Sequence, residues 1–300
     1  MRTISVVGLG IMGLRAAMLL RDSGFAVAGF DPFAPAAERA AKEGVAVFTS
    51  AGESAASADL ALLFVPGPAQ TASVVAGEGG LLEKASAGLI IVNASTVDPA
   101  TNIRMAERAF AQGVEYLDAP LLGRPSGAGN WSFLVGGEER TLARAMPVLC
   151  VLSGSREKVF HMGGLGAGNK AKLLNNLMFG AINACTAEIM ALADRLGVSQ
   201  KTLFDAAVAA GAGVVSNLYK ELVPRIVEGR YDDPNFTVNM LLKDNHLALE
   251  MAREADAPLI LGGAIDYCNR AAKAHGLGDQ DTSAMWKAVS ALWGAGKASS

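Results

Sequence analysis

The stretch ISVVGLGIMGLRAAMLL, Ile4 to Leu20, sets three glycines between an apolar run of strand character and an apolar run at helical spacing. A tight turn needs one glycine at such a junction, but three at GxGxxG spacing each have a separate task if a dinucleotide sits there. Gly8 makes the sharp exit from the strand, Gly10 lets backbone approach a pyrophosphate, and Gly13 lets helix and strand pack closely. The helix that starts at Ile11 and Met12 then offers free N–H groups and the positive end of its dipole to the phosphates. A second short strand, FAVAGF, ends at Asp31, near the interval of about 20 residues at which an acid meets the ribose 2′-hydroxyl. That carboxylate would repel the 2′-phosphate of NADP, and no Arg or Lys follows before Arg39, so the pattern favours NAD. The competing reading makes Asp31 a cap for the turn before Pro32.

Three hundred residues suits two domains with a substantial core. A net charge of −3 with no clustered Lys/Arg face argues against nucleic acid or an anionic membrane surface as partner. The apolar N-terminus reads as a strand running into the glycine turn, not as a signal peptide. The uncharged run from Leu60 to Gly77 is broken by Pro66, Gly67 and Pro68, so it does not read as a membrane span. Cys150, Cys185 and Cys268 are odd in number and far apart, which fits reduced thiols in a cytosolic setting. His161, His246 and His275 make no ligand spacing with them, so no metal is expected.

Up to about residue 163 short apolar strands alternate with stretches of helix length: strands at 45–48, 60–65, 88–95, 114–121, 132–137 and 158–163, and helices such as 99–113 and 138–149. Such alternation predicts a doubly wound, mostly parallel sheet covered on both faces, with ligands at the carboxyl ends of its strands. After Gly163 the strand signals stop. One long helix over 169–196, apolar nearly all round, is expected to lie between two layers. Helices at 199–210, 215–228, 237–255, 259–275 and 281–294 follow. The expected domains are therefore 1–163, binding the nucleotide, and 164–300, all helical, joined by the long helix.

The start of that helix, GLGAGNKAKLLNN, breaks local rules. Lys172 opposes the dipole near a helix N-terminus, and Asn175 and Asn176 each cost about 0.5 kcal/mol of helix propensity. Lys172 and Asn176 are four apart and share a face with Asn175. Hydride transfer to a carbonyl builds alkoxide charge, which an ammonium can stabilise and protonate; in reverse an amine takes the alcohol proton. The other reading is a solvated lysine beside two asparagines that pair with backbone.

These residues resemble the β-hydroxyacid dehydrogenase family, which includes 3-hydroxyisobutyrate dehydrogenases. The resemblance runs the full length: GLGIMG, NASTVDP at 93–99, DAPLLGRPSGAG at 118–129, GAGNKAKLLNN, LLKDNHLALEMA at 241–252 and GLGDQDTSA at 276–284. It implies a Rossmann domain, Lys172 as the catalytic residue and Asn176 as its partner on the substrate. It also implies that Val65 and Pro66 flank the cofactor, that Thr96 and Lys243 lie near its nicotinamide half, and that Ser95 and the Gly123 region face a substrate carboxylate. Asn175 joins Asn176 on the substrate side. For Thr96 the alternative is a cap on the helix entered at Pro99, for Lys243 a solvated residue beside Asp244, and for the Asp118–Pro120 turn a strand terminator. Glu188 reads as a buried structural acid.

Where family members read DAPVSGG this chain has DAPLLGR, so Leu122 replaces a serine and Arg124 a glycine; the loop after them is about two residues shorter, and Trp131 stands where leucine is usual. Arg124 could restore the lost carboxylate bond with a bidentate one if it points inward. The expectation is an NAD-preferring, cytosolic, metal-free dehydrogenase of a small 3-hydroxy acid, dimeric or tetrameric through its helical half. NADP remains possible as cofactor. The alternatives are an imine, sulfonate-aldehyde or tartronate semialdehyde reductase on the same scaffold, and a catalytically silent nucleotide-binding protein.

Overall fold

A computed structural model describes residues 2–294. The chain divides into two compact units, Met1–Lys172 and Leu173–Ser300, so the division falls inside the long helix rather than at 163/164. The first helical turns bond to the sheet unit, which is why they belong to it.

In the first unit nine strands form one sheet: β1 (Thr3–Val7), β2 (Ala26–Phe30), β3 (Ala46–Val47), β4 (Leu60–Leu63), β5 (Ile90–Asn93), β6 (Glu115–Asp118), β7 (Leu121–Leu122), β8 (Ser132–Gly136) and β9 (Val159–Gly163). Their order is β3-β2-β1-β4-β5-β6-β8-β7, with β9 added to β8. The pairs from β3 to β6 are all parallel, with β1 at the centre where the order reverses. That reversal is the switch point at which open sheets of this kind bind ligands. β8 runs antiparallel to both β6 and β7. The run expected as one strand over 114–121 is two, because Pro120 has no N–H to give the ladder. The run at 45–48 pairs over only two residues.

Side-chain alternation along the strands builds a core on each face. Ile4, Val6, Leu60, Leu62, Ile90 and Val92 pack against α1 (Ile11–Asp22) and a later helix that carries Leu142, Ala145 and Leu149. Val7, Ala61, Leu63 and Ile91 face the other way, toward Ala51, Ala55, Val75, Met105 and Ala109. Five of the helices on this sheet are α2 (Ala34–Lys42), α3 (Ala51–Ala55), α4 (Pro68–Ala76), α5 (Leu81–Lys84) and α6 (Pro99–Phe110). The later helix that shares a face with α1 is α7 (Glu139–Ser153).

The long helix α8 (Ala167–Arg195) runs from the first unit into the second. There it is followed by α9 (Gln200–Ala209), α10 (Asn217–Glu228), α11 (Val238–Glu254), α12 (Ile260–Ala274) and α13 (Met285–Leu292). By length and composition α8 could cross a membrane. Its buried residues, however, include Asn169, Asn176 and Asn183 at seven-residue intervals, and Thr186. Asn183 donates to the carbonyl of Thr282 at 3.2 Å. The helix is not enclosed all round as expected: Leu174, Met178, Ile189 and Leu192, spaced by four, eleven and three residues, are exposed along one side of it. Glu188 is also exposed, which corrects its reading as a buried acid. The second unit's core gathers Ala184, Ala187, Ala191, Leu241, Ala272, Met285 and Val289.

Candidate functional site

The glycine turn is built as a cradle. Gly8 has φ +90°, and a Cβ there would overlap the carbonyl oxygen of Phe64. A Cβ on Gly13 would overlap the carbonyl of Gly8, so strand, turn and helix are in backbone contact. Around Gly10 there is open space, and α1 begins there with no capping side chain and no acid in its first turn. Unfilled room beside exposed helix donors suits a pyrophosphate. Ile11, the first residue of α1, is largely exposed.

Asp31, just after β2, bonds to the turn itself: one carboxylate oxygen accepts from the Leu9 N–H at 2.7 Å and the other from the Phe33 N–H at 2.8 Å. It therefore fixes the glycine turn and caps the following one, and it stands at the end of β2 where a ribose carboxylate ligand belongs. These residues fit an NAD(P) cofactor.

Beyond β4 the chain passes through Phe64, Val65 and Pro66. The Val65 N–H donates to Ser95 Oγ at 2.9 Å, and that hydroxyl also lies 3.4 Å from the Leu63 carbonyl. Ser95 is thus buried as a tie between the ends of β4 and β5, its hydroxyl engaged by backbone. Thr96 does not cap α6; Asp98 does, its carboxylate accepting from Thr101 N–H at 2.7 Å.

A buried group at the end of β6, for which a strand terminator is the alternative reading, organises the start of α8. Asp118, fully buried at the end of β6, accepts from Gly166 N–H at 2.7 Å and from Asn169 N–H at 2.8 Å. Burial pushes its carboxyl above the ordinary carboxylate range, and the two backbone donors pull the other way. Asn169 in turn accepts from Val97 N–H at 2.9 Å. A Cβ on Gly168 would collide with the Leu134 carbonyl, so this glycine lets the helix start press onto β8. The same close approach explains Gly136, whose Cβ would meet Asp118.

Lys172 follows on this anchored turn, and its Nζ donates to the carbonyl of Leu121 at 2.8 Å. Leu121 and Leu122 form β7, opposite Phe133 and Ser132 of β8. The next residue, Gly123, has φ +158° and lies so close to the Trp131 ring that a Cβ would overlap it. Trp131 Nε1 donates to the carbonyl of Arg124 at 2.8 Å. Lys172, Leu122, Gly123 and Arg124 are therefore gathered in the sheet unit, on the carboxyl-end side of the strands.

In the helical unit a second set converges on Asp244. Asn176 Nδ2 donates to Asp244 Oδ2 at 2.6 Å, and Lys243 Nζ stands 2.9 Å from Asp244 Oδ1. Lys243 is thus paired with a buried carboxylate rather than solvated. Asn175 is exposed, its amide 3.1 Å from Asn176 Oδ1. Sequence reasoning named Asn176 and Lys243 and passed over the Asp244 that joins them; its position next to Lys243 on a buried helix face was the signal.

A dinucleotide cradle at the switch point, with a positioned primary amine past the carboxyl ends of the same sheet, defines an NAD(P)-dependent oxidoreductase. Known proteins agree. A family model described as the NAD binding domain of 6-phosphogluconate dehydrogenase matches residues 3–163, and one described as NAD-binding of NADP-dependent 3-hydroxyisobutyrate dehydrogenase matches 166–289. A probable 3-hydroxyisobutyrate dehydrogenase of Mycobacterium tuberculosis is 36% identical over 281 residues, covering 91% of this chain and 93% of its own. The 2-(hydroxymethyl)glutarate dehydrogenase of Eubacterium barkeri is 30% identical, covering 95% and 93%. The crystallised Mycobacterium tuberculosis 3-hydroxyisobutyrate dehydrogenase, solved with L-serine, superposes with a TM-score of 0.85 at 32% identity, covering 97% of this chain and all of that one. The chain belongs to the β-hydroxyacid dehydrogenase family.

Proposed function

We propose that the protein is a cytosolic, NAD-preferring dehydrogenase that interconverts a small 3-hydroxy acid and its semialdehyde or keto form, as a homodimer or homotetramer. The substrate class is supported by the relatives: 3-hydroxyisobutyrate and 2-(hydroxymethyl)glutarate both carry the hydroxyl on the carbon β to a carboxylate. The cytosolic reading rests on three free thiols. The observation that carries the chemistry is the Lys172 amine, held by the Leu121 carbonyl on an anchored helix start.

When bound, the nicotinamide gives or takes the hydride. The protein's residues handle binding and the proton. The Gly8–Gly13 turn, with Ile11 and Met12, takes the pyrophosphate, Asp31 the adenosine ribose, and Val65, Pro66, Thr96 and Lys243 flank the nicotinamide side. Lys172 gives its ammonium proton to the carbonyl oxygen in reduction and takes the alcohol proton in oxidation. Asn176, oriented by Asp244, holds the substrate hydroxyl, with Asn175 beside it. Gly123, Arg124 and Leu122 border the substrate carboxylate; Ser95 orders the end of β5 beside them.

An absorbance screen of 3-hydroxy acids and semialdehydes with NAD and with NADP tests this reading. Lys172→Ala is expected to lower kcat by about 10²- to 10⁴-fold. Full turnover in that variant would refute the role of the amine.

A further inference from the structure

Trp131 lies wholly buried between the ends of β4 and β7, which belong to one sheet but are not neighbours in it. On one side its ring meets that of Phe64, centroids 6.2 Å apart at 59°. Phe64 is the residue whose carbonyl abuts Gly8 and whose Cβ lies over the position of Gly13, and it leads directly into Val65 and Pro66. On the other side the indole lies against Gly123, and its N–H holds the Arg124 carbonyl. Two residues before Gly123 is the Leu121 carbonyl that holds Lys172. One side chain therefore links Phe64, beside the glycine cradle, to the backbone just past the carbonyl that holds the amine.

The loop it fills needs such a support. Between β7 and β8 only two residue pairs are in register, Leu121 with Phe133 and Leu122 with Ser132, and such a short ladder fixes little by itself. Gly123 has backbone that L side chains rarely adopt, and Gly127 lies near the same ring. Without the indole, the segment 121–125 would keep the two pairings, the bond from Lys172 to Leu121 and a local turn bond from the Gly127 N–H to the Arg124 carbonyl, with no support from Phe64.

We propose that Trp131 is a positioning residue for the reaction: by joining Phe64 to the Gly123–Arg124 backbone, it sets the distance between Lys172 and the nicotinamide wall. This rests on the reading of Lys172 given above. It acts through other groups, the Phe64 ring and the Gly123–Arg124 backbone.

Trp131→Phe keeps a ring and loses the N–H; Trp131→Leu loses both. Expected are a roughly 10- to 100-fold fall in kcat at saturating substrate for Trp131→Leu and a smaller fall for Trp131→Phe, with NADH affinity unchanged. A misplaced amine also labels differently, so reductive methylation of Lys172, followed by mass spectrometry, should be several-fold faster in Trp131→Leu. Trp131→Phe, which preserves the packing, serves where Trp131→Leu fails to fold. A lower melting temperature with parental kcat and parental Lys172 labelling would overturn the proposal and leave Trp131 a core residue only. If the parent turns over no hydroxy acid, the functional reading falls, whereas the labelling rates still decide the role of Trp131.

Discussion

Asp31 carries two tasks that a single carboxylate can separate only because it has two oxygens. Each already accepts a backbone N–H, from Leu9 and from Phe33, yet a carboxylate has about four acceptor directions and keeps capacity for a ribose. On the proposed NAD-preferring reading its charge discriminates against a 2′-phosphate, since like charges at contact cost several kcal/mol. Asp31→Asn removes the charge, and the amide cannot accept on both atoms, so one backbone bond goes as well. The expected outcome is weaker NAD binding by about tenfold, from the loss of about 1.5 kcal/mol, with the NAD-to-NADP affinity ratio moving toward NADP. Fluorescence titration of the reduced cofactors checks it; an unchanged ratio would return Asp31 to a purely structural cap.

At the scale of elements, the entry to α8 decides whether Lys172 stands in a fixed place, and Asp118 decides that entry. Asp118→Asn leaves one of the two N–H groups, Gly166 or Asn169, without a good acceptor inside the protein, at a cost of about 1–3 kcal/mol. Denaturant melts should show the loss of stability, and kcat should fall with the cofactor affinity retained, because the cradle lies on β1 and α1. What was legible in the sequence follows the same line. The strands and helices of the sheet unit could be read because their periodicity is set by local burial, and the GxGxxG turn because its spacing is a local pattern, although Gly8 itself answers to the distant Phe64 carbonyl. Asp118 and Trp131 could not be read so, since their partners Gly166 and Phe64 lie 48 and more than 60 residues away, and Asp244, 68 residues from Asn176, showed locally only as the neighbour of Lys243. Asp118 looked like a strand terminator for want of any local sign that its partners were the amides of α8. The long helix misled for the opposite reason: apolar composition does not say which apolar face a single chain leaves uncovered.

That uncovered face belongs to the whole molecule. On α8 the stripe of Leu174, Met178, Ile189 and Leu192 is open, Met178 at 63% exposure, and in the same unit Ile260 is 93% exposed, with Leu261 and Tyr267 exposed after it on α12. Apolar side chains left open on a helical unit suit association with a second copy, as the proposed oligomer requires, and closed symmetry then buries the same residues on both partners. A stable contact of that kind buries on the order of 1,600 Å² in total, which a four-residue stripe cannot supply without the neighbouring helices. Light scattering at micromolar protein should therefore give two or four times the chain mass of 30.9 kDa. Met178→Glu sets a charge in the middle of the stripe, where its burial against a partner's apolar surface is costly. It should shift the mass toward the monomer while leaving circular dichroism unchanged, because the side chain touches solvent in the single chain. A parent protein that weighs as one chain would show that these residues serve something other than self-association.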